Sequence, residues 1–241
     1  MRRHNVKVVS FSGIDGAGKS TQIDALCRHL RDSGFQLALY TFWDDVVVLA
    51  RFRERMSLKA FRGDKGIGSP DKPINRRDKN VTSWYLTAIR MFFYLLDAFH
   101  LGVVVSRSVE SSADFVIFDR YIYDELANLP LQYAFVRLYV RVLLKFIPRP
   151  DLALVLDADP EAATVRKPEY PLEFVRRNRD HYLRLSRIIR DISVVPPLPV
   201  EQSAETIKEL VSGKCLRLDI EPLDFNMRHP ASPVSAKTSN S

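Results

Sequence analysis

Apolar residues fall into short unbroken runs separated by longer stretches with helical spacing. The runs at 6–12, 37–42, 115–118, 152–156 and 192–195 are too short for helices, so each predicts a buried strand. Between the first two, residues 19–32 place Ile23, Leu26 and Leu30 on one helical face, and Ser33-Gly34 stops the helix. Helices are also predicted over 46–61, 81–112, 131–147, 160–166, 172–191 and 203–212, with an optional strand at 215–220. The 81–112 helix is apolar around most of its circumference (Trp84, Tyr85, Phe92, Phe93, Tyr94, Phe99), which predicts burial. Strands alternating with helices predict a five-stranded parallel sheet covered on both faces, a three-layer α/β/α domain over residues 1–221. Two stretches lack periodicity. The 62–80 loop carries Lys72, Arg76, Arg77 and Lys79, and is either a phosphate clamp or a solvated surface loop. The Pro/Ser-rich 222–241 tail is expected to be disordered.

The junction of the first strand and first helix carries the chemistry. Gly13 to Ser20 fits G-x-x-x-x-G-K-[ST], the phosphate-binding loop, in its required place between strand and helix. Gly13, Gly16 and Gly18 let the backbone turn its N–H groups toward an anion, and Ala17 and Thr21 complete the loop and the first helical turn. Lys19 supplies a cation for the outer phosphates, and the Ser20 hydroxyl is a magnesium ligand candidate. Asp119 and Arg120 follow the third strand and fall on the same rim, since ligands of open parallel sheets bind outside the carboxyl ends of the strands.

Charge and cysteine content narrow the partners. A net charge of +7 favours anionic ligands, and the basic residues are spread along the chain, so small phosphates are preferred to nucleic acid. Cys27 and Cys215 form neither a disulfide framework nor a metal cluster. MRRHN runs straight into the first strand without a signal-peptide core, and the apolar stretch 91–105 is too short to span a bilayer and contains Asp97 and His100. The expectation is a soluble cytoplasmic protein with no membrane partner; a homodimer stays open.

The segments FSGIDGAGKSTQ, FDRYIYDELA and RPDLALVLDADPE, in this order, resemble the thymidylate kinase family of nucleoside monophosphate kinases, and EFVRRNRDHYLRL is similar to the family's helix after its lid. The resemblance covers residues 5–212 and implies ATP as donor, magnesium as metal and dTMP as acceptor. It makes Lys19 the donor-phosphate lysine and Ser20 the magnesium hydroxyl, with Asp119 assisting through water. Asp15 would lie near the acceptor's sugar and phosphate, and the Asp119-Arg120-Tyr121 segment would place Arg120 on the acceptor phosphate. The departures are specific. TFWDDV replaces the family's R-E-P-G-G-T-like segment, so Trp43, Asp44 and Asp45 become candidates for substrate or magnesium contact. Arg51 or Arg53 would replace the next phosphate-binding arginine. Tyr94 matches the aromatic residue that stacks on thymine, but Ala98 stands where the family's thymine-reading arginine is expected. The phosphate loop has no arginine at position 16, and only five residues separate Arg166 from Leu172, a short lid. Arg166 is the first choice for a transition-state cation and Arg176 the second.

The function expected is magnesium-dependent transfer of the ATP γ-phosphate to a nucleoside monophosphate. Two rivals stay open: a P-loop kinase of another small acceptor such as a nucleoside, and a nucleotide-binding regulator without turnover.

Overall fold

In the computed structural model, residues 6–49, 53, 84–109 and 112–216 are described. Five strands, β1 (Lys7–Gly13), β2 (Leu37–Thr41), β3 (Phe115–Asp119), β4 (Leu152–Leu156) and β5 (Ile192–Val195), form one sheet in the order β2-β3-β1-β4-β5. All four pairings are parallel. Successive strand side chains point to opposite faces, and the inner strands are apolar on both. Val8, Val116, Phe118, Ala153 and Val155 serve one core. Val9, Phe11, Ile117, Leu152 and Leu154 serve the other. This double burial is what a parallel sheet between two helical layers requires.

The helices are α1 (Lys19–Asp32), α2 (Trp84–Val109), α3 (Ile122–Ala127), α4 (Ala134–Leu143), α5 (Pro160–Arg166), α6 (Leu172–Ile188) and α7 (Val200–Val211). α1 and α7 cover one face of the sheet. α2, α3, α4 and α6 contribute to the core on the other. The three-layer α/β/α architecture is therefore the one expected. β1 is central, so its carboxyl end, where the phosphate loop begins, is flanked by the ends of β3 and β4. That order brings Gly13, Asp119 and Asp157 to one rim.

Several elements differ from the expectation. Residues 42–46 form a π-helical turn, Phe42–Val46, in which Asp45 accepts the Thr41 N–H at 2.6 Å. The optional last strand begins instead as a π-helical turn, Ser212–Leu216. α3 was not anticipated. Most of the 46–61 helix, Arg51, the 62–80 loop and the 222–241 tail lie outside the described residues. Cys27 and Cys215 are free buried thiols.

The longest helix is also longer than the apolar stretch 91–105 on which the expectation rested. Helical structure continues past both ends of 91–105, and Thr87–Ser108, with a mean hydropathy of 1.6, is long and apolar enough by length and composition to cross a membrane. Its inner side, Tyr94, Ala98, Leu101 and Val105, packs into the core. Its outer side leaves Ile89, Phe92, Leu95 and Phe99 exposed. The expected burial of the whole helix is thus only half met.

Candidate active site

β1 ends at Gly13 in a conformation (φ +140°) that side chains rarely adopt, and a Cβ there would lie 2.5 Å from the Leu156 carbonyl oxygen. Gly16 (φ +81°) is tighter: a Cβ would overlap the Ala163 carbonyl on α5. The missing arginine at position 16 therefore has a steric cause, because α5 packs directly on the loop. Gly16→Ala is expected to cost about 1–3 kcal/mol, read as a fall in melting temperature of several degrees beside a Gly34→Ala control. A fall no larger than the control's would show that α5 yields.

Gly18 caps α1 in the left-handed region, and the first turn of the helix carries no acidic residue, so its dipole is left for a ligand. Ser20 and Thr21 are exposed in that turn. Lys19 is buried and donates to the carbonyls of Gly13 (3.0 Å) and Ile14 (2.9 Å). Burial lowers its pKa to about 8, with Arg120 acting in the same direction and Asp15, Asp124 and Asp119 opposing. All four of those groups therefore stand close enough to act on the Lys19 charge, among them the expected acceptor residues Asp15, Asp119 and Arg120.

Arg120 follows β3 at φ +68°, a left-handed conformation unusual for a side-chain-bearing residue. Its N–H bonds the Phe11 carbonyl at 2.8 Å, which ties it to β1. Its guanidinium is clamped between Asp15 and Asp124, the latter at 2.9 Å. Asp124 also accepts from Ser12 Oγ (2.6 Å), the Tyr182 hydroxyl (2.6 Å) and the Tyr121 N–H (3.2 Å). Sequence reasoning missed Asp124; the available signal was its i,i+4 spacing from Arg120.

A second cluster surrounds Arg53. Its Nη1 donates to Asp97 at 2.5 Å, and its Nη2 donates to both oxygens of Glu125 at 2.9 and 3.1 Å. Asp97 additionally accepts the Val48 N–H at 2.8 Å. The guanidinium lies 5.2 Å from the Phe93 ring centroid and 5.9 Å from that of Tyr94. A cation thus does stand beside Asp97 and Tyr94 on α2, supplied from the chain after β2. Burial lifts the Glu125 carboxyl to about 8, against the pull of Arg53. Burial also raises Asp97, again against Arg53.

Two residues expected to contact substrate are buried. Tyr121 is fully buried and its hydroxyl donates to the Pro148 carbonyl at 2.7 Å, so it is a core residue. Tyr94 is 4% exposed, with Arg53 over its ring. Within TFWDDV, Asp45 closes the turn and Trp43 packs edge-on against Phe42. Asp44 is exposed.

On the other side of the loop, a cavity of about 350 Å³ is lined by Ala17, Gly18, Thr21, Arg166, Asp157 and the Pro-rich 196–199 turn. Arg166 therefore borders this cavity, its Nε on the Ala162 carbonyl at 3.2 Å. Arg176 is half exposed and paired with Glu161, which fastens α6 to α5. Arg179, not singled out from the sequence, forms a two-point pair with Asp157 at 2.6 and 2.7 Å on the rim of this cavity.

A central strand that opens into a phosphate loop, with an arginine from the neighbouring strand bonded to the loop's own aspartate, is the working arrangement of a P-loop phosphotransferase. No family model matches the chain. It is 27% identical over 225 residues to a probable thymidylate kinase of Pyrococcus abyssi, covering 87% of this chain and 98% of that protein. It is 28% identical over 200 residues to a probable thymidylate kinase of Thermococcus gammatolerans, covering 78% and 86%. Thymidylate kinase from Ehrlichia chaffeensis superposes with a TM-score of 0.54 at 18% identity, covering 86% of this chain and 98% of that one, a likeness of fold. The chain is thus similar to thymidylate kinases over most of its length, as its motifs suggested.

Proposed function

We propose that the protein transfers the γ-phosphate of ATP to a nucleoside monophosphate, with dTMP the leading acceptor. The observation that carries this is the Asp15–Arg120 ion pair, because it brings an arginine from β3 onto the phosphate loop, close enough to act on Lys19. Phosphoryl transfer needs the donor and acceptor phosphates side by side and their charge compensated, more than it needs a covalent partner. The loop amides and Lys19 hold the donor phosphates, and Arg166 borders the cavity that receives the rest of the donor. Arg120 offers a planar fork to the acceptor phosphate, and Asp15 aims it. Magnesium, when bound, neutralises charge on the donor's outer phosphates. Ser20, exposed at the start of α1, and Asp119, at the end of β3, would hold it. The partners of this reading are small nucleotides, and the exposed stripe on α2 is the surface a homodimer would cover.

Coupled ADP release with dTMP, other monophosphates and thymidine, each with and without magnesium, tests the reading. ADP release that depends on thymidine and not on dTMP would replace it with a nucleoside kinase. Arg120→Ala is expected to raise the KM for dTMP about thirtyfold or more, the cost of losing a charged hydrogen-bond partner, while the KM for ATP changes far less. Equal losses for both substrates would make Arg120 a structural residue.

A further inference from the structure

We propose that Glu125 is a positioning residue that shares Arg53 with the acceptor's phosphate, so that a phosphate on the open edge of this guanidinium drives the buried Glu125 carboxylate to take up a proton. The inference rests on the kinase reading and adds what admits the acceptor. Consecutive residues of α3 each hold an arginine: Asp124 holds Arg120, and Glu125 holds Arg53. Asp15 and Asp97 complete the two clamps. Above about pH 8, where Glu125 is ionised, two guanidiniums face four carboxylates before any acceptor arrives, a balance that repels a dianion rather than drawing it in.

The four carboxylates are not equivalent. Asp124 is saturated by hydrogen bonds from Arg120, Ser12, Tyr121 and Tyr182. Asp97 is anchored by a backbone N–H as well as by Arg53. For Glu125, Arg53 is the hydrogen-bond partner, and both oxygens share one nitrogen of it. Arg53 is partly exposed whereas Glu125 is buried, so a phosphate approaches the guanidinium edge from the side away from the carboxylate. An arginine has five N–H donors, and these contacts use few of them. The remaining charge near Glu125 comes from Asp97 and Arg90 on α2, with the Tyr94 hydroxyl on α2 and the Tyr139 hydroxyl on α4 close by. When a dianion takes Arg53, an ionised Glu125 would be left buried beside it, which is costly enough that the carboxyl instead takes a proton from water. Its pKa of about 8 in the unliganded cluster already poises it for this. A neutral Glu125 can then donate a hydrogen bond where it previously repelled.

The test uses the full chain, dTMP as probe, and the wild type beside Glu125→Gln, which keeps the shape and removes the titration. Calorimetric binding without ATP is run near pH 9 in two phosphate-free buffers of different ionisation enthalpy. The wild type is expected to take up about one proton per dTMP, and its KM for dTMP to rise up to tenfold per pH unit above pH 8. Glu125→Gln is expected to bind without proton uptake and to hold a flat KM. Uptake that persists in Glu125→Gln would assign the proton to another group, such as Lys19, and overturn the proposal. So would absence of uptake in the wild type with dTMP turnover intact, an outcome that leaves the kinase reading standing. Proton-linked binding without turnover would support the coupling to Glu125 and sink the kinase reading. No dTMP binding at any pH would remove both.

Discussion

Lys19→Ala is expected to lower the rate of phosphoryl transfer by about a thousandfold, the scale seen when a charge-stabilising group is removed from a transition state. The fold should survive, because the Lys19 ammonium bonds, among the described residues, to the backbone carbonyls of Gly13 and Ile14, and the adjoining α1 core of Ile23, Leu26 and Leu30 does not involve its charge. The same residue sets a pH dependence. Lys19 is charged below its pKa and loses its charge as pH rises through about 8 in the unliganded protein. The kcat/KM for ATP should therefore fall above about pH 8. Bound phosphates favour the ammonium, so kcat should hold to a higher pH than kcat/KM. Coupled ADP release across the pH range checks both. A Lys19→Ala variant that keeps more than about a tenth of the wild-type rate would contradict the placement of Lys19 on the transferred phosphate.

Asp124→Ala carries the largest expected cost in stability, about 3–5 kcal/mol, because it strands several buried donors at once. Ser12 on β1, Arg120 after β3 and Tyr182 on α6 all converge on this carboxylate. At this chain length the loss corresponds to a drop of about 10 °C or more in melting temperature. Asp124→Asn keeps the volume and part of the hydrogen bonding and should lose about half as much. Calorimetric unfolding of the two variants separates the readings: equal and small losses would mean that the converging groups find water or each other.

The limits of α1 and β5 were legible because apolar periodicity and stop signals coincide there. The phosphate loop was legible because its glycines answer a local backbone demand, and Gly16 shows that demand extends to a close approach by α5. What could not be read was non-local. Arg53 and Glu125 lie 72 positions apart, and nothing in the intervening sequence marks them as partners. α3 spans only six residues, too few for an amphipathic pattern, so the spacing that aims Asp124 at Arg120 went unseen. Tyr94 and Tyr121 kept their motif positions, yet burial assigned both to the core, a property that a motif does not encode.

The Tyr182 hydroxyl bond to Asp124 has a mechanical consequence. It fastens the middle of α6 to the carboxylate that orients Arg120, while Arg176 fastens the start of α6 to α5. A lid that closed by swinging α6 would drag the acceptor arginine out of register with the loop. On the proposed reading, closure over bound nucleotide would be confined to the five residues between Arg166 and Leu172. The enzyme would shield its reaction by a hinge a few residues long, and amide exchange slowed by nucleotide should be concentrated there rather than spread along the helix.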